Sequence, residues 1–448
     1  MLSARGLKNV NELDVPWRFA PTQTYDPETN PMGLISFGMA ENKPMKAEMA
    51  RYINEQVRMK FPICNCHASL SNFRIILQPQ VTFTQDSISY RSNAPTAARL
   101  PAAAAVHLND ILAPRIPIDS EQIVVADSPT SLGNMLGYSL AERGDGVLVN
   151  RPVYGRFELD YGVEAGVKMV YANTDVEEAF LPASVGKYEL ALAAAKERGI
   201  RIRAVLLVNP HNPVGRCYPI ETLKAIAKFC SRHALHLISD EVYASCVFET
   251  TDPEAVPFTS IISLDLSNLI DPNLVHVLYG FSKDFASGGL HLGFLVTQNQ
   301  QLRRSCKAVL LTLIRRLHGA SQAAVTIGTA VLEDRAFVSN FIAKSRQSLA
   351  SGYLLTTSTL ERSGINFIRG GNAGFFVYVD LSPYLAGEDI APEKREFGLA
   401  QRILDAGVFL HPGEEHSKDV GWFRLVFSQD EGTLKEGLRR LIGALKSA

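Results

Sequence analysis

Two patterns of hydrophobic and polar positions alternate along the middle of the chain. Short apolar runs, such as QIVVAD at 122–127 and AVLLVNP at 204–210, have the length and composition of buried strands. Between them, segments such as IETLKAIAKFCSRHA at 220–234 place their apolar residues on one helical face. Apolar strands that alternate with amphipathic helices predict an α/β domain with a mainly parallel sheet and crossover helices.

The pattern changes after about residue 300. Long helical patterns at 299–332 and 335–364 precede three strand-like runs, AGFFVYVDL, GVFLHPG and WFRLVFS, and a closing helix. These elements predict a smaller α+β domain, which the polar N-terminal arm joins. We expect the arm and part of the small domain at 1–60, the large domain at 61–315 and the C-terminal small domain at 316–448. An Ala-rich stretch at 96–112 predicts a helix interrupted near Pro101.

The composition argues against two classes of binding partner, nucleic acids and anionic membranes. Of 448 residues, 46% are hydrophobic and 20% are charged, and the net charge is -1. Such a balance argues against a sequence-blind nucleic-acid binder or a protein that binds anionic membranes. No apolar run reaches the roughly 18 to 20 residues of a membrane span, and the N-terminus has no apolar core of the signal-peptide type. We therefore expect a cytoplasmic protein.

The six cysteines show neither a disulfide framework nor zinc-finger spacing. Their one cluster, CNCH at 64–67, offers too few ligands for a structural metal site. A pair of loop or core cysteines explains it better, and we predict no metal.

Four residues with chemical potential lie at the predicted carboxyl ends of strands: Asn212, Asp240, Tyr243 and Lys283. In a parallel sheet these ends line one edge, where ligands bind. Each residue alone also has a structural interpretation: a turn for Asn212, a helix cap for Asp240, a core aromatic for Tyr243 and a loop cation for Lys283. Their coincidence at matching strand ends favours a shared site.

The chemistry of these four residue types fits one cofactor. A lysine that condenses with an aldehyde needs a neutral amine, which desolvation supplies. Pyridoxal phosphate needs such a lysine and an acid at its pyridine nitrogen. An asparagine and a tyrosine can both hydrogen-bond the 3-oxygen of the ring.

These motifs resemble fold-type I pyridoxal-phosphate enzymes of aminotransferase class I, and most of all the branch of 1-aminocyclopropane-1-carboxylate (ACC) synthase and its fungal relatives. The similarity runs from about Gly33 to Phe427. It is carried by FGMAEN at 37–42, NPHNPVG at 209–215, SDEVY at 239–243, SKD at 282–284, GNAGFFVYVDL at 371–381 and GWFRLVF at 421–427. The resemblance implies a seven-stranded, mainly parallel sheet in the large domain, which would bind the cofactor, beside the smaller α+β domain.

The resemblance also implies roles for individual residues. Lys283 would form the internal aldimine and carry the Cα proton, while Asp240 would hold the pyridine nitrogen. Tyr154 matches the aromatic residue that stacks on the cofactor ring; its alternative is a core tyrosine. Arg424 matches the arginine that binds the substrate α-carboxylate, a task that suits a guanidinium; its alternative is a surface ion pair. Glu41 matches a residue near the substrate and could equally be a local cap.

The phosphate-binding end departs from the family pattern. Ser128 is a candidate N-cap and Thr130 follows it, but Pro129 between them has no N–H to offer. Gly280 stands where ACC synthase has a serine, although Ser282 remains. The largest departure is His291, at the position of a phosphate-binding arginine. An imidazole there would be a weaker and pH-sensitive substitute.

Tyr90 matches the tyrosine that reaches the phosphate of a partner subunit, although its surrounding motif is altered. The resemblance therefore implies a homodimer. True ACC synthesis is not expected, because SYRSNAPTAARLP at 89–101 departs from the pattern of that activity.

The predicted function is a pyridoxal-phosphate enzyme that acts on an α-amino acid or a conjugate of one. We expect an aminotransferase-family enzyme of specialised metabolism. A lyase that cleaves C–S or similar bonds by β-elimination remains an alternative, as does a degenerate, non-catalytic binding protein. A nucleotide-binding Rossmann domain is excluded, since neither G-x-G-x-x-G after the first strand nor a P-loop is present.

Overall fold

The computed structural model describes residues 24–57, 95–312, 319–385, 391–413 and 419–446. Tyr90 and the cysteine cluster at 64–67 lie outside these residues. The strands are, in chain order, β1 (Ile35–Ser36), β2 (Ile123–Ala126), β3 (Gly146–Arg151), β4 (Lys168–Asn173), β5 (Ile202–Val208), β6 (His236–Asp240), β7 (Val275–Gly280), β8 (Gly293–Thr297), β9 (Phe376–Asp380), β10 (Val408–Phe409) and β11 (Trp422–Val426). The α-helices are α1 (Lys43–Val57), α2 (Pro95–Leu112), α3 (Pro129–Leu140), α4 (Phe157–Gly162), α5 (Val185–Glu197), α6 (Ile220–Arg232), α7 (Phe281–Asp284), α8 (Gln300–Thr312), α9 (Gln322–Glu333), α10 (Arg335–Arg362), α11 (Pro392–Asp405) and α12 (Glu431–Lys446).

Seven strands form the central sheet, in the spatial order β2-β8-β7-β6-β5-β3-β4. All neighbouring pairs are parallel except the two pairs that β8 makes, with β7 and with β2. Strand β8 runs antiparallel because the chain turns back directly after β7 instead of crossing over through a long helix. The expected α/β fold with a mainly parallel seven-stranded sheet is confirmed.

Helices cover both faces of this sheet, which explains why its strands are almost continuously apolar. Six of the seven residues of β5 are buried. Helix α6 presents Leu223, Ile226 and Phe229, all buried, to the core on one face. The alternation seen in the sequence therefore corresponds to strand and crossover helix.

A second hydrophobic core lies beside the sheet. It is built on two short sheets, the antiparallel pair β9 and β11 and the parallel pair β1 and β10. Phe37, Phe375, Phe423 and Leu438 are fully buried there. Strand β1 thereby ties the N-terminal segment to the C-terminal part of the chain.

Local signals in the sequence failed at two places. Helix α2 continues through Pro101 instead of breaking. Its buried face, which includes Leu100, Ala104 and Leu108, packs on the main core, and such packing outweighs the roughly 3 kcal/mol that an interior proline costs. The run GVFLHPG yields only the two-residue strand β10. None of the helices in the described ranges is both long and apolar enough to span a bilayer.

Candidate active site

A cavity of about 680 Å³ opens at the carboxyl ends of the parallel strands, where the second core meets the sheet. The structure brings together around it every predicted site residue that it describes. These are Glu41, Ser128, Thr130, Tyr154, Asn212, Asp240, Tyr243, Ser282, Lys283, His291 and Arg424. A cavity of this size suits a cofactor or a small ligand.

Lys283 lies in the short helix α7, directly after β7. Its Nζ donates a hydrogen bond to the carbonyl oxygen of Ala40 at 2.9 Å. The same atom lies 5.8 Å from the centre of the Tyr243 ring. Burial, and then the positive charge of Arg424, lower the pKa of Lys283 to about 8. A substantial fraction of this amine is therefore neutral near physiological pH and able to act as a nucleophile or a base.

Asp240 is the last residue of β6 and is buried. Burial raises the pKa of its carboxyl to about 6, while the Val242 N–H, which donates to Oδ1 at 3.3 Å, and the nearby Lys283 oppose the rise. The bond to Val242 is the local turn contact expected of an aspartate. Asp240 thus serves the turn and also presents a carboxylate to the cavity. Above pH 6 this carboxylate can hold a cationic N–H.

Tyr243 lies three residues after Asp240, in the loop that follows β6, and is buried. Phe375 and Phe376 meet its ring edge to face, each with ring centres 5.3 Å apart. This packing fixes the ring, so the phenol has a defined position on the cavity wall.

Arg424 projects from β11 and joins the two halves of the cavity. Its Nη1 donates to Oδ1 of Asn212 at 3.0 Å, and its Nη2 donates to the carbonyl oxygen of Gly38 at 2.8 Å. The guanidinium lies 5.1 Å from the centre of the Phe376 ring. Arg424 is buried rather than part of a surface ion pair. Because Asn212 uses its oxygen for Arg424, its amide NH2 is the group that can donate to a ligand.

The first turn of α3 forms another wall of the cavity. Ser128 caps the helix, and its Oγ accepts a hydrogen bond from the Ser131 N–H at 3.1 Å. Pro129 occupies the first helical position. The Thr130 hydroxyl donates to Oδ2 of Asp160 across a long 3.5 Å. A helix N-terminus with two hydroxyls has the polarity that an anion requires.

His291 stands in the left-handed backbone region, with φ of 53°, at the end of a short turn, and its side chain is exposed. It lines the cavity together with Ser128, Thr130 and Ser282. The structure thus places the histidine, the three hydroxyls and the start of α3 at one cavity.

Tyr154 and Glu41 occupy other parts of the wall. Tyr154 is half-buried and meets Phe157 edge to face, with ring centres 5.2 Å apart. Glu41 accepts a hydrogen bond from Lys46 Nζ at 2.6 Å. That bond is an ion pair with a neighbouring side chain and not a helix cap, and Glu41 borders the cavity.

Sequence reasoning missed four polar residues of the cavity wall: Arg156, Asp160, Tyr161 and His411. Burial, and then the charge of Asp240, raise the pKa of Asp160 to about 7. Burial, Arg424 and Arg156 lower the pKa of His411 to about 3, so this imidazole is neutral. Proximity to Tyr154 could have drawn attention to Arg156. Nothing in the local sequence marks His411, which tertiary folding brings next to Arg424.

The donor set of the cavity fits pyridoxal phosphate. An amine with a lowered pKa and a buried carboxylate suit the aldehyde and the pyridine nitrogen, and the amide of Asn212 and the phenol of Tyr243 can both donate to an oxygen. Three hydroxyls, an imidazole and a helix N-terminus suit the phosphate.

Comparison with known proteins places this geometry in a family. A family model for aminotransferases of class I and II matches residues 90–441. The chain is 30% identical to ACC synthase-like protein 1 of Mus musculus, over 93% of this chain and 77% of that protein. It is 29% identical to ACC synthase 3 of Oryza sativa subsp. japonica, over 98% and 94% of the two chains. A protein of Leptosphaeria maculans named probable aminotransferase sirI is 28% identical, over 99% and 98%.

Solved structures share the fold. An aspartate aminotransferase variant from Thermus thermophilus superposes with a TM-score of 0.68 at 21% identity, covering 99% of this chain and 97% of that one. An aromatic aminotransferase from Pyrococcus horikoshii gives a TM-score of 0.68 at 20% identity, over 92% and 96%. The match to the family model extends over most of the chain, and the relatives are similar over nearly all of it. The chain therefore belongs to the class I and II aminotransferases, a family of enzymes that depend on pyridoxal phosphate.

Proposed function

We propose that this chain binds pyridoxal phosphate at Lys283 and removes the Cα proton of an α-amino acid or amino-acid conjugate. One observation carries the proposal: the amine of Lys283, the carboxylate of Asp240 and the guanidinium of Arg424 line one cavity. The lysine is the group whose pKa is lowered towards neutrality. A perturbed amine in a cleft, next to groups for both ends of an amino acid, favours catalysis over passive binding.

The role proposed for each residue follows from the chemistry of its side chain. Pyridoxal phosphate, when bound, supplies an aldehyde that condenses with amines and a ring that accepts electrons from Cα. Asp240 holds a proton at the pyridine nitrogen, and Asn212 and Tyr243 donate hydrogen bonds to the 3-oxygen. Arg424 binds the substrate carboxylate. The neutral amine of Lys283 takes the Cα proton, which adds catalytic power only if it lies in reach of that atom.

The remaining residues of the cavity bind and orient in this proposal. Tyr154 stacks on the ring, while Ser128, Thr130, Ser282 and His291 hold the phosphate. Glu41 lies near the substrate. Tyr90, which lies outside the described residues, reaches the phosphate of a partner subunit in a homodimer. The division of the chain at residues 60 and 315, and the cytoplasmic location, belong to the proposal as well.

We further propose that the reaction is a transamination in specialised metabolism. The support is the family itself, together with the similarity of the chain over nearly its whole length to a fungal protein named as an aminotransferase. Products tell the reactions apart: a keto acid marks transamination, whereas pyruvate with ammonia marks β-elimination. A panel of amino acids and cysteine conjugates, followed by product analysis, decides between them.

Covalent capture of the cofactor tests the core of the proposal. Purified protein is incubated with pyridoxal phosphate, reduced with borohydride and digested, and the modified peptide is identified by mass spectrometry. We expect one cofactor per chain on the peptide that contains Lys283, and no such adduct in Lys283→Ala. Lys224→Ala, at an exposed lysine paired with Glu221, serves as the control. If Lys283 stays unmodified at saturating cofactor, the proposal is wrong. The alternative of a degenerate, non-catalytic binding protein then remains.

A further inference from the structure

Asp284 carries a buried carboxyl group directly next to Lys283 in α7, and none of the roles proposed above uses it. Only 1% of the residue is exposed. Lys283 and Ser282 line the cavity, whereas Asp284 does not border it. The carboxyl group therefore lies behind the cavity wall, where it can affect the site only through other residues.

Two hydrogen bonds reach this carboxyl group from the loop that follows β6. The backbone N–H of Ser245 donates to Oδ2 of Asp284 at 2.9 Å, and Sγ of Cys246 donates to Oδ1 at 2.9 Å. Both donor residues are buried. Burial raises the pKa of the Cys246 thiol, so the thiol keeps the proton that it donates. Asp284 is thus held at both oxygens and joins α7 to this loop.

The same loop carries Asp240 and Tyr243, and hydrogen bonds to its own backbone make it stiff. The N–H of Cys246 donates to the carbonyl oxygen of Tyr243 at 2.9 Å. The N–H of Val242 donates to Oδ1 of Asp240 at 3.3 Å. The contact of Asp284 with this loop therefore also links α7 to the carboxylate and the phenol on the cavity wall.

The loop is fixed from its other side as well. Nε of Arg346, in α10, donates to the carbonyl oxygen of Ser245 at 3.0 Å. The N–H of Gly374, just before β9, donates to the carbonyl oxygen of Cys246 at 2.9 Å. By contrast, α7 has only four residues, too few for a helix that is stable without tertiary contacts. The loop is therefore the fixed partner, and α7 is the element that its contact with Asp284 places.

We propose that Asp284 is a positioning residue that fixes α7, and with it the amine of Lys283, against the loop at 240–246. This inference rests on the proposed function, in which Lys283 and groups on that loop act on one cofactor. A shift of reacting groups by about 1 Å can lower a rate roughly a hundredfold. A carboxyl group that ties these two elements together therefore affects the reaction without touching cofactor or substrate.

The rate at which Lys283 captures pyridoxal phosphate tests this inference, because it depends on the position of the amine and not on any later step. Asp284→Ala removes both hydrogen bonds, and we expect the rate of borohydride-fixed adduct to fall by about ten- to a hundredfold. The visible circular dichroism of the bound cofactor, which depends on how its ring is held, should change as well. A wild-type rate and spectrum in Asp284→Ala would show that the inference is wrong.

Asp284→Asn separates the geometry of this contact from its charge. The amide has the shape of the carboxyl group: its oxygen can accept the Ser245 N–H, and its NH2 can donate to the sulfur of Cys246. The capture rate and the spectrum should therefore stay close to those of the wild-type protein. If Asp284→Asn is as impaired as Asp284→Ala, charge and not positioning explains the effect, and the inference is overturned.

Thr222→Val is the control for the loss of a buried hydrogen bond elsewhere. The Thr222 hydroxyl donates to the carbonyl oxygen of Phe180 at 2.6 Å, outside the cavity. This variant should lower stability but leave the capture rate and the spectrum of the folded protein unchanged. A capture rate that falls as far in Thr222→Val as in Asp284→Ala would reduce the role of Asp284 to stability.

A milder pair of variants decides the matter if Asp284→Ala does not fold. Cys246→Ser keeps a donor for Asp284 and should capture the cofactor faster than Cys246→Ala, which has none. Equal rates in these two variants overturn the inference while the proposed function stands. Wild-type protein that forms no adduct at Lys283 contradicts the proposed function instead.

Discussion

The ring of Pro129 fills the space that a side chain at Gly280 would need. A β-carbon at position 280 would lie 2.8 Å from Cγ and 3.1 Å from Cδ of Pro129. These two residues are both departures from the family pattern at the phosphate-binding end. The absence of a side chain at Gly280 leaves room for the Pro129 ring, and the carbonyl oxygen of Leu292 would also lie 3.1 Å from a β-carbon there.

Gly280→Ser should therefore destabilise the protein unless Pro129 changes as well. Overpacking a tight contact typically costs about 1–3 kcal/mol of the free energy of unfolding. In Pro129→Ala/Gly280→Ser part of this loss should be recovered, because alanine removes the contact with the proline ring, although the contact with the carbonyl oxygen of Leu292 remains. The double variant should also retain cofactor more strongly, since it gains an N–H and a hydroxyl at the helix N-terminus. Denaturant unfolding and equilibrium dialysis of the cofactor measure the two effects.

Gly186→Ser is the matched control, because no atom beyond its local backbone lies within 4 Å of a β-carbon there. It should change the free energy of unfolding little. Strictly additive effects of Pro129→Ala and Gly280→Ser would contradict the steric coupling.

The rate at which Lys283 captures the cofactor should depend on pH, and the charge of Arg424 should set the midpoint of this dependence. The pKa of Lys283 is lowered to about 8, so the reactive neutral amine dominates above that pH and the rate of capture should rise through it. Arg424→Met removes a cation that disfavours the ammonium form, so the lysine pKa rises and the midpoint moves to higher pH. Initial rates of borohydride-fixed adduct, measured against pH, give the midpoint. If the midpoint of the capture rate is the same in Arg424→Met and in the wild-type protein, burial alone sets the pKa of Lys283. Arg201→Met, at an exposed arginine outside the cavity, is the control.

The loaded enzyme should exchange the Cα hydrogen of its substrate for deuterium in D2O, and the rate of this exchange should fall at acidic pH because of Asp240. This fall is the acid limb of the pH profile. Burial raises the pKa of this carboxyl to about 6. The cationic N–H that it would hold favours the carboxylate, so in the loaded enzyme protonation should set in only below pH 6, and a neutral acid cannot stabilise a cationic N–H. Asp240→Asn should lower exchange by about a hundredfold or more and abolish this limb. The measurement is the pH profile of exchange in loaded enzyme. If the limb persists unchanged in Asp240→Asn, another group such as Asp160 is responsible.

His291→Arg should strengthen retention of the cofactor. A guanidinium can make two parallel hydrogen bonds to a phosphate, and we expect the dissociation constant to fall by about tenfold. Equilibrium dialysis of the cofactor measures the change. His233→Arg, at the exposed end of α6, is the control. Equal affinity of the wild-type protein and His291→Arg would remove His291 from the phosphate site.

Much of the fold could be predicted because strong local signals agree with it. The apolar runs of β3, β5 and β7 are fully or almost fully buried, and a run of that kind suits only a strand covered on both faces. Pro101 shows where local reasoning fails, since buried packing along α2 outweighs its preference for a break. No motif marks the residues of the cavity wall that escaped notice: Arg156, Asp160, Tyr161 and His411.

The sequence by itself determined the alternation of strands and helices, and with it the edge at which Asn212, Asp240 and Lys283 converge. This follows because the carboxyl ends of parallel strands must meet on one side of a sheet. Only the tertiary structure decided that Arg424 reaches Asn212 from a strand 212 residues away, that Pro129 fills the space beside Gly280, and that His411 lies near two guanidinium groups. Such contacts depend on how the two cores pack against each other, and no local pattern encodes that packing.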